Sequence, residues 1–594
     1  MAQPHLTGSP SDEPPSSERR RSGVTFVKRV SRVLPGPKAR IDALRRSLVP
    51  LVLAIVPLWW ICDATYRASL VTIGRDQGIF QYIAWAVRSG DVDYRDVRDV
   101  NGPLIHLVHF VLMGLGGHEE HRFQVLHLLI TGITFAFAGA CLAGFVRGKP
   151  PTWIERAAWA AAGWVILSGQ YQLYLYWNQA QRETFCDWFL VPAVALQLAR
   201  PATAKRSERI RIAIIGALSV IAWFGKPSFA LFSVAQLAVL LWDRELFSSR
   251  KQRFMSFAIG GALGAAIPLV YLFAYGDALA FFRISMHDVP AMYRFIWVKS
   301  PHEILGSDGP LMTTSAGMAA AALVALLVSM RELPRRAIIL ALVPPLAVVH
   351  VLAQAKGFGY HFHPLTVATS LTWLTVVAML WQKHRFAPRN KPLGRWLAFA
   401  AASVLAYVTT REMNGSPNLR HVWLLAGAST PYKRGLPEYF EQFKSYDFFP
   451  WDMRQTAEYL VAKTKPEDRV QVYGMDPYLL YLARRKSATP YIYAYDLNVD
   501  TALDGGWWAH PTDAEAERIK QMRFDHEMDM FARLKKNPPP AFVFISGAPL
   551  ISYRDAPEDF AHCCGTTNNW VHDEYRFAKK FGEIEVWLRK DLEP

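Results

Sequence analysis

The sequence predicts a polytopic α-helical membrane protein with a C-terminal soluble α/β domain. Three observations point there. Apolar residues make up 51 % of the chain and gather, between positions 48 and 410, into stretches near the ~20 residues that a helix needs to cross a bilayer. The loops between those stretches alternate between strongly basic and weakly charged. Past residue 410 the long apolar runs give way to the short strand and helix patterns of a soluble domain.

Residues 1–46 are rich in Pro, Ser, Arg and Lys and show no apolar period, so they read as a disordered basic cytoplasmic tail. The first apolar run starts too far in, and is too long, for a signal peptide. About eleven spans fit the region 47–410: 47–66, 121–146, 157–174, 181–199, 210–225, 227–242, 254–275, 313–330, 337–354, 364–381 and 396–410. Loops 147–156, 200–211, 243–253, 331–336 and 382–395 are basic, as is the tail. Lys and Arg resist translocation, which assigns this set to the cytoplasm. An odd number of spans then sends residues 411–594 and the first outer loop, 67–120, to the opposite side. The same rule accounts for the net charge of +16 without nucleic acid as a partner. Segment 104–117 is short and carries His106 and His109; a full span there would break the alternation, so it is placed as an interfacial or partly inserted helix.

In the soluble part, Arg469–Tyr473 and Ala541–Ile545 read as buried strands. Residues 477–483 and 513–534 read as helices, and Glu583–Leu588 as a last strand. No phosphate loop, nucleophile elbow or metal-ligand spacing occurs in this domain, which suits a cap or a partner-binding module. Of five cysteines, Cys62, Cys141 and Cys186 lie in apolar runs and Cys563 and Cys564 are adjacent, so no disulfide framework is expected.

The first outer loop organises the functional reading. Asp76 opens an amphipathic run with Ile79, Phe80, Ile83, Ala84 and Val87 at helical spacing. An acid-rich loop follows, with Asp91, Asp93, Asp96 and Asp99, closing at Asn101-Gly102-Pro103. On the predicted topology other segments bring polar groups to the same face: Arg182 and Glu183 at the mouth of a span, Lys226 between two apolar runs, and Lys356, Tyr360, His361 and His363 in the loop KGFGYHFHP. An ionisable side chain inside the hydrocarbon costs roughly 2.5–3.5 kcal/mol on insertion scales, so several at one boundary imply a wet cavity. Transfer from a lipid-linked donor suits it. Lys226, Lys356 and a protonated His361 or His363 would stabilise the charge developing on a phosphate leaving group, and Asp76 would take the proton of an acceptor hydroxyl. Simpler roles compete. Asp76 suits a helix N-cap, Glu183 a pair with Arg182, Lys226 a snorkelling span end, and the four acids a solvated loop, the functional alternative there being contact of Asp96 or Asp99 with substrate. Asp187, one turn past Glu183, suits helix packing.

The order of Asp76, Gly78, a helix, an acid-rich loop, Pro103, an apolar helix and Arg122 resembles the GT-C membrane glycosyltransferases, in particular their protein mannosyltransferase and aminoarabinose transferase branch. The turn bearing Glu183, the KGFGYHFHP loop and YGMDPYLLYLARRKSATPYIY (473–493) are similar to that branch too. The resemblance implies Asp76 as catalytic base and Glu183 as an assisting acid, with Lys226 and the 356–363 loop holding the lipid phosphate. It implies a polyprenyl-phosphate sugar donor and a glycan, lipid or protein acceptor; the expected location is a bacterial inner membrane with a periplasmic site, although the sequence itself shows only that a membrane is crossed. Many relatives carry a basic residue before the loop proline, where this chain has Gly102. Some distant relatives use a divalent metal; that question stays open for this chain, with a metal not favoured. Alternative readings are a flippase or transporter of lipid-linked glycans, which would need polar residues at mid-span, and an inactive scaffold of cell-envelope assembly.

Overall fold

The computed structural model describes residues 37–146, 150–172, 174, 177–200, 202–385, 392–415, 435–547 and 555–592. Most of the expected tail lies outside them. Its last ten residues, Pro37–Arg46, are helical rather than disordered.

The membrane body contains, in chain order, α1 (Leu48–Leu70), α2 (Arg75–Arg88), α3 (Pro103–Gly116), α4 (Glu120–Leu142), α5 (Trp153–Gln172), α6 (Arg182–Leu198), α7 (Lys205–Ile221), α8 (Ala230–Trp242), α9 (Arg250–Tyr275), α10 (Asp308–Ser329), α11 (Ile339–Gln354), α12 (His363–His384) and α13 (Leu393–Gly415). Each predicted span falls on a helix. Among the described residues seven helices are long and apolar enough to cross a membrane by length and composition: α1, α4, α9, α10, α13, and α11 and α12 together with their leading turns. The others, α5 to α8, are shorter or more polar. The chain is a multi-pass membrane protein. α12 sits at the centre, with 89 % of its apolar window buried, and α13 at the edge, with 22 %.

Small residues let the helices meet backbone to backbone, the usual device where lipid supplies no hydrophobic drive. Gly260 and Gly264 of α9 lie so close to α7 that a Cβ would come within 1.8 and 2.3 Å of the Ala213 and Ala217 carbonyl oxygens. At one end of the bundle, Arg336 ties three basic-set loops together. It donates to the Leu198 carbonyl (2.9 Å), the Phe145 carbonyl (2.7 Å) and Glu245 (3.0 Å).

At the other end the chain leaves the bundle in two places. Residues 71–117 form α2, the acid-rich loop and α3. Residues 276–300 form the helix Ala278–Arg283 and continue as a π-helix over Ile284–Tyr293.

The C-terminal domain holds α14 (Pro450–Lys463), β1 (Arg469–Tyr473), α15 (Tyr478–Ala483), β2 (Lys486–Ser487), α16 (Asp513–Lys536), β3 (Ala541–Ile545), α17 (Ala556–Cys563), α18 (Gly565–Glu574), β4 (Tyr575–Phe581) and β5 (Ile584–Arg589). The sheet order is β2-β1-β3-β5-β4. β1 and β3 pair in parallel, Val470 opposite Ala541, and β3 meets β5 antiparallel, Val543 opposite Val586. β3 is buried along its whole length, whereas β5 alternates, which is why both were legible as strands. β2, β4, α14, α17 and α18 were not anticipated. All five cysteines are free.

This domain is not a detached appendage. One apolar core runs from α2 and α3 through to β1, β3 and β5. As a result α2, which has an amphipathic sequence, is buried on nearly every side. Gly78 makes the closest approach: a Cβ there would lie 2.7 Å from the Tyr478 side chain of α15.

Candidate active site

A cavity of ≈ 370 Å³ opens where α2, the acid-rich loop, the 276–300 segment and the C-terminal domain meet the ends of the membrane helices. Asp76, Asp99, Arg182, Lys226, Lys356, Tyr360 and His361 all line it.

Asp76 is the second residue of α2. The N-cap is Gly74, whose N–H donates to the Gln77 side chain (3.1 Å), so the capping role open to Asp76 in the sequence is filled by other groups. The helix start is fixed from outside by Arg75, which is buried and donates to Asp476 (3.0 Å) and Asp447 (2.9 Å) of the C-terminal domain. Asp76 is thereby turned into the cavity, and its carboxylate makes no hydrogen bond with any described residue. Burial pushes its pKa up, while Arg182 and Arg75 pull the other way.

The acids of the following loop are structural. Asp91 accepts from Arg469 (2.6 Å) and Lys486 (3.0 Å), which dock the sheet. Asp93 accepts from Tyr271 (2.9 Å) and meets His106 Nδ1 at 2.7 Å, and Asp96 pairs with Arg95 (2.8 Å). Asp99, expected to bind substrate, reaches the cavity wall with both oxygens engaged. It meets His106 Nε2 at 2.7 Å and accepts from the Tyr493 hydroxyl (2.6 Å) and Asn101 (2.9 Å). Burial works to raise its pKa, but those partners hold it below the ordinary carboxylate value. The ionised Asp99 orients Asn101, whose Oδ1 accepts from Arg182 (2.5 Å).

Arg182 also donates to the Tyr360 hydroxyl (2.6 Å) and stacks over its ring, so the guanidinium is held across the cavity from two sides. Glu183, one residue on, points the other way. It is buried and does not line the cavity; it accepts from Lys226 and lies 3.8 Å from His361 Nε2. Its expected place as an acid facing substrate is therefore corrected to that of a counter-ion beneath Lys226. Lys226 donates to the Gln354 side chain as well, and burial lowers its pKa to about 8 against the pull of Glu183. Lys356 donates to the Tyr293 carbonyl (3.2 Å), and burial lowers it to about 8 too.

His361 and His363 part company. The 3₁₀ turn Gly359–Phe362 directs His361 to the cavity. His363 begins α12 and faces a separate small cavity beside Asp187, where its Nδ1 meets Thr184 at 2.9 Å and its ring packs on Tyr174. His363 is accordingly removed from the expected site.

Sequence reasoning missed Gln354, Tyr293, Trp297, Tyr493 and Tyr495, which also line the cavity. The signal for the last two was present: the aromatic run Tyr491-Ile-Tyr-Ala-Tyr495 extends the stretch 473–493, in a domain whose sequence suits a cap or a partner-binding module. Among the described residues no group of three or more His, Cys, Asp or Glu side chains is placed to hold a metal ion.

No family model matches this chain, and no curated protein matches it. Among solved structures it is similar to ArnT from Cupriavidus metallidurans. The apo state aligns with a TM-score of 0.50 at 13 % identity, covering 90 % of this chain and 97 % of that one. The same protein bound to undecaprenyl phosphate aligns at 0.49 and 14 %, covering 92 % and 98 %. The archaeal oligosaccharyltransferase AglB from Archaeoglobus fulgidus, in complex with an inhibitory peptide and a dolichol-phosphate, aligns at 0.39 and 14 %, covering 84 % and 68 %. The chain has the fold of apo ArnT over nearly its whole length.

Proposed function

We propose that this protein transfers a monosaccharide from a polyprenyl-phosphate donor to an acceptor on the side of the membrane that holds the C-terminal domain. The observation that carries this reading is the Asp76 carboxylate, without a hydrogen-bonding partner among the described residues, in one cavity with Arg182, Lys226 and Lys356. The acceptor hydroxyl oxygen forms a bond to the anomeric carbon as the carbon–oxygen bond to the phosphate breaks. The hydroxyl proton passes to Asp76, and the bonding pair leaves with the polyprenyl phosphate. Asp76 acts as general base, and its raised pKa makes it a better one than a solvated carboxylate. Lys226 and Lys356 neutralise the leaving phosphate, an effect that is strong in a cavity screened from bulk water. Arg182 bridges the base and the leaving group. Glu183 keeps Lys226 charged and in place. A single displacement inverts the anomeric centre.

The fold supports a lipid carrier as donor, and so does undecaprenyl phosphate bound to ArnT. The basic loops, gathered at the end of the bundle opposite the cavity, favour a site outside the cytoplasm, in a bacterial cell at the periplasmic face of the inner membrane. The test is transfer of labelled sugar from a polyprenyl-phosphate donor in proteoliposomes carrying the wild type or Asp76→Asn. Loss of transfer by a factor of about 10³ with donor binding retained is expected. Wild-type rates in the variant would remove Asp76 as the base.

A further inference from the structure

We infer that the acceptor is a saccharide, docked against an aromatic wall built jointly by Trp297 of the 276–300 segment and Tyr495 of the C-terminal domain. This rests on the transfer reading of the cavity and names the substrate class of its second half.

The cavity has two unlike sides. Lys226, Gln354 and His361 form one, and Lys356, which donates to the Tyr293 carbonyl, stands where it meets the other. Tyr293, Trp297 and Tyr495 form the other, with the Tyr293 and Tyr495 rings 5.5 Å apart and the Trp297 and Tyr495 rings 6.3 Å apart. Asp76 belongs to the aromatic side. Its charge acts on Tyr495, and the charges that act most on it are those of Arg182, Arg75, Asp99 and Glu183 rather than the two lysines. With the leaving phosphate on the lysine side, the hydroxyl that meets Asp76 arrives along the aromatic wall.

The wall offers flat apolar faces with unused polar rims. The Tyr293 hydroxyl is buried and makes no hydrogen bond with any described residue. The Tyr495 hydroxyl and the Trp297 indole N–H, both on the cavity wall, make no hydrogen bond with any described residue. Aromatic side chains combine a large apolar surface with a polar tip, and a pyranose or furanose ring matches both, with C–H faces for the rings and hydroxyls for the tips. A hydrocarbon chain would leave the polar tips unpaired. Arg294 on this side is turned to Glu515 and over Phe295 rather than to the wall.

The backbone shows that Trp297 is held in place against its preference. Its φ is +51°, in the left-handed region that bulky residues avoid. Two contacts pin the flanking residues: the Lys299 N–H donates to the Ala355 carbonyl (2.8 Å), and Gly506 of the C-terminal domain lies against Val298, where a Cβ would meet the carbonyl oxygen at 2.5 Å. Strain of this kind at a cavity wall marks a residue whose side chain is needed there.

The test uses the full chain in nanodiscs and saturation-transfer NMR with the methyl glycosides of glucose, galactose, mannose and N-acetylglucosamine, beside a serine-containing peptide. At least one glycoside should receive saturation through its ring C–H protons. Trp297→Ala and Tyr495→Ala should weaken that binding about tenfold, while Trp297→Phe and Tyr495→Phe keep it within about threefold. Undecaprenyl phosphate binding should stay within about twofold in all four, which separates this wall from the donor site and reports folding. Retained glycoside binding in both alanine variants, no glycoside binding to the wild type, or stronger saturation of the peptide would each overturn the inference. Competition by one oligosaccharide, free and as a bilayer-embedded glycolipid, identifies its source, and displacement by either supports the wall. Loss of phosphate binding on Lys226→Ala is scored separately; its failure would sink the donor site and leave the saccharide wall standing.

Discussion

Gly102 lies against the carbonyl of Phe224, so closely that a Cβ at position 102 would come within 2.0 Å of that oxygen. Two residues further along the same turn is Lys226. The glycine is thus what allows the acid-rich loop and the Lys226 turn to touch, and a larger residue before Pro103 has no room in this chain. The need is steric, since the φ of Gly102 is −72° and open to any residue. Gly102→Ala should push the turn back, weaken polyprenyl-phosphate binding about tenfold and cost about 1–3 kcal/mol of stability, read by titration and thermal melting. An unchanged dissociation constant would mean that the turn does not position Lys226.

Asp76 should trade stability for function. Burial raises its folded pKa above its unfolded one, so its contribution falls as pH rises between the two values, and at neutral pH the carboxylate is a net cost. Asp76→Asn removes the charge. It should raise the apparent Tm by about 2–4 °C at pH 7.5, with the gain fading as pH approaches 4. A lower Tm at neutral pH would argue that Asp76 is structural.

The pH profile of kcat/KM should be bell-shaped. Asp76 works deprotonated, so activity falls as pH drops through its raised pKa. Lys226 and Lys356 bind phosphate protonated, so activity falls again as pH rises through about 8. Lys226→Arg with Lys356→Arg should move the alkaline limb upward, because arginine stays charged. A limb that stays near 8 in the double variant would assign it to another group.

Arg75 tests the union of the two parts. Arg75→Met leaves Asp447 and Asp476 buried without their cation, a cost of about 3–5 kcal/mol. Asp476 already has its pKa raised by burial, and losing Arg75 raises it further, so the variant should be more stable at pH 5 than at pH 8. Equal melting at both values would show that the interface is not held by this pair.

The helices of the membrane body were legible because apolar runs of fixed length and basic loops leave a strong signal, and Asp76, Arg182, Lys226, Lys356, Tyr360 and His361 could be grouped from which loops share a face. What the sequence did not show follows from long-range packing. Glu183 and His363 differ from their neighbours only in which way a turn directs them, a matter of one residue of helical phase. The π-helix over 284–293 has no sequence period of its own. Tyr493 and Tyr495 reach the cavity because the C-terminal domain shares a core with α2, and α2 itself reads as half-exposed although Tyr478 and its neighbours cover it.

The most direct measurement is a cryo-electron microscopy structure of the full chain with a polyprenyl-phosphate sugar donor. The account predicts the phosphate between Lys226 and Lys356, its oxygens about 2.7–2.9 Å from their Nζ atoms, and the anomeric carbon on the Asp76 side of the cavity. A phosphate seated elsewhere, with Asp76 remote from the sugar, would contradict it.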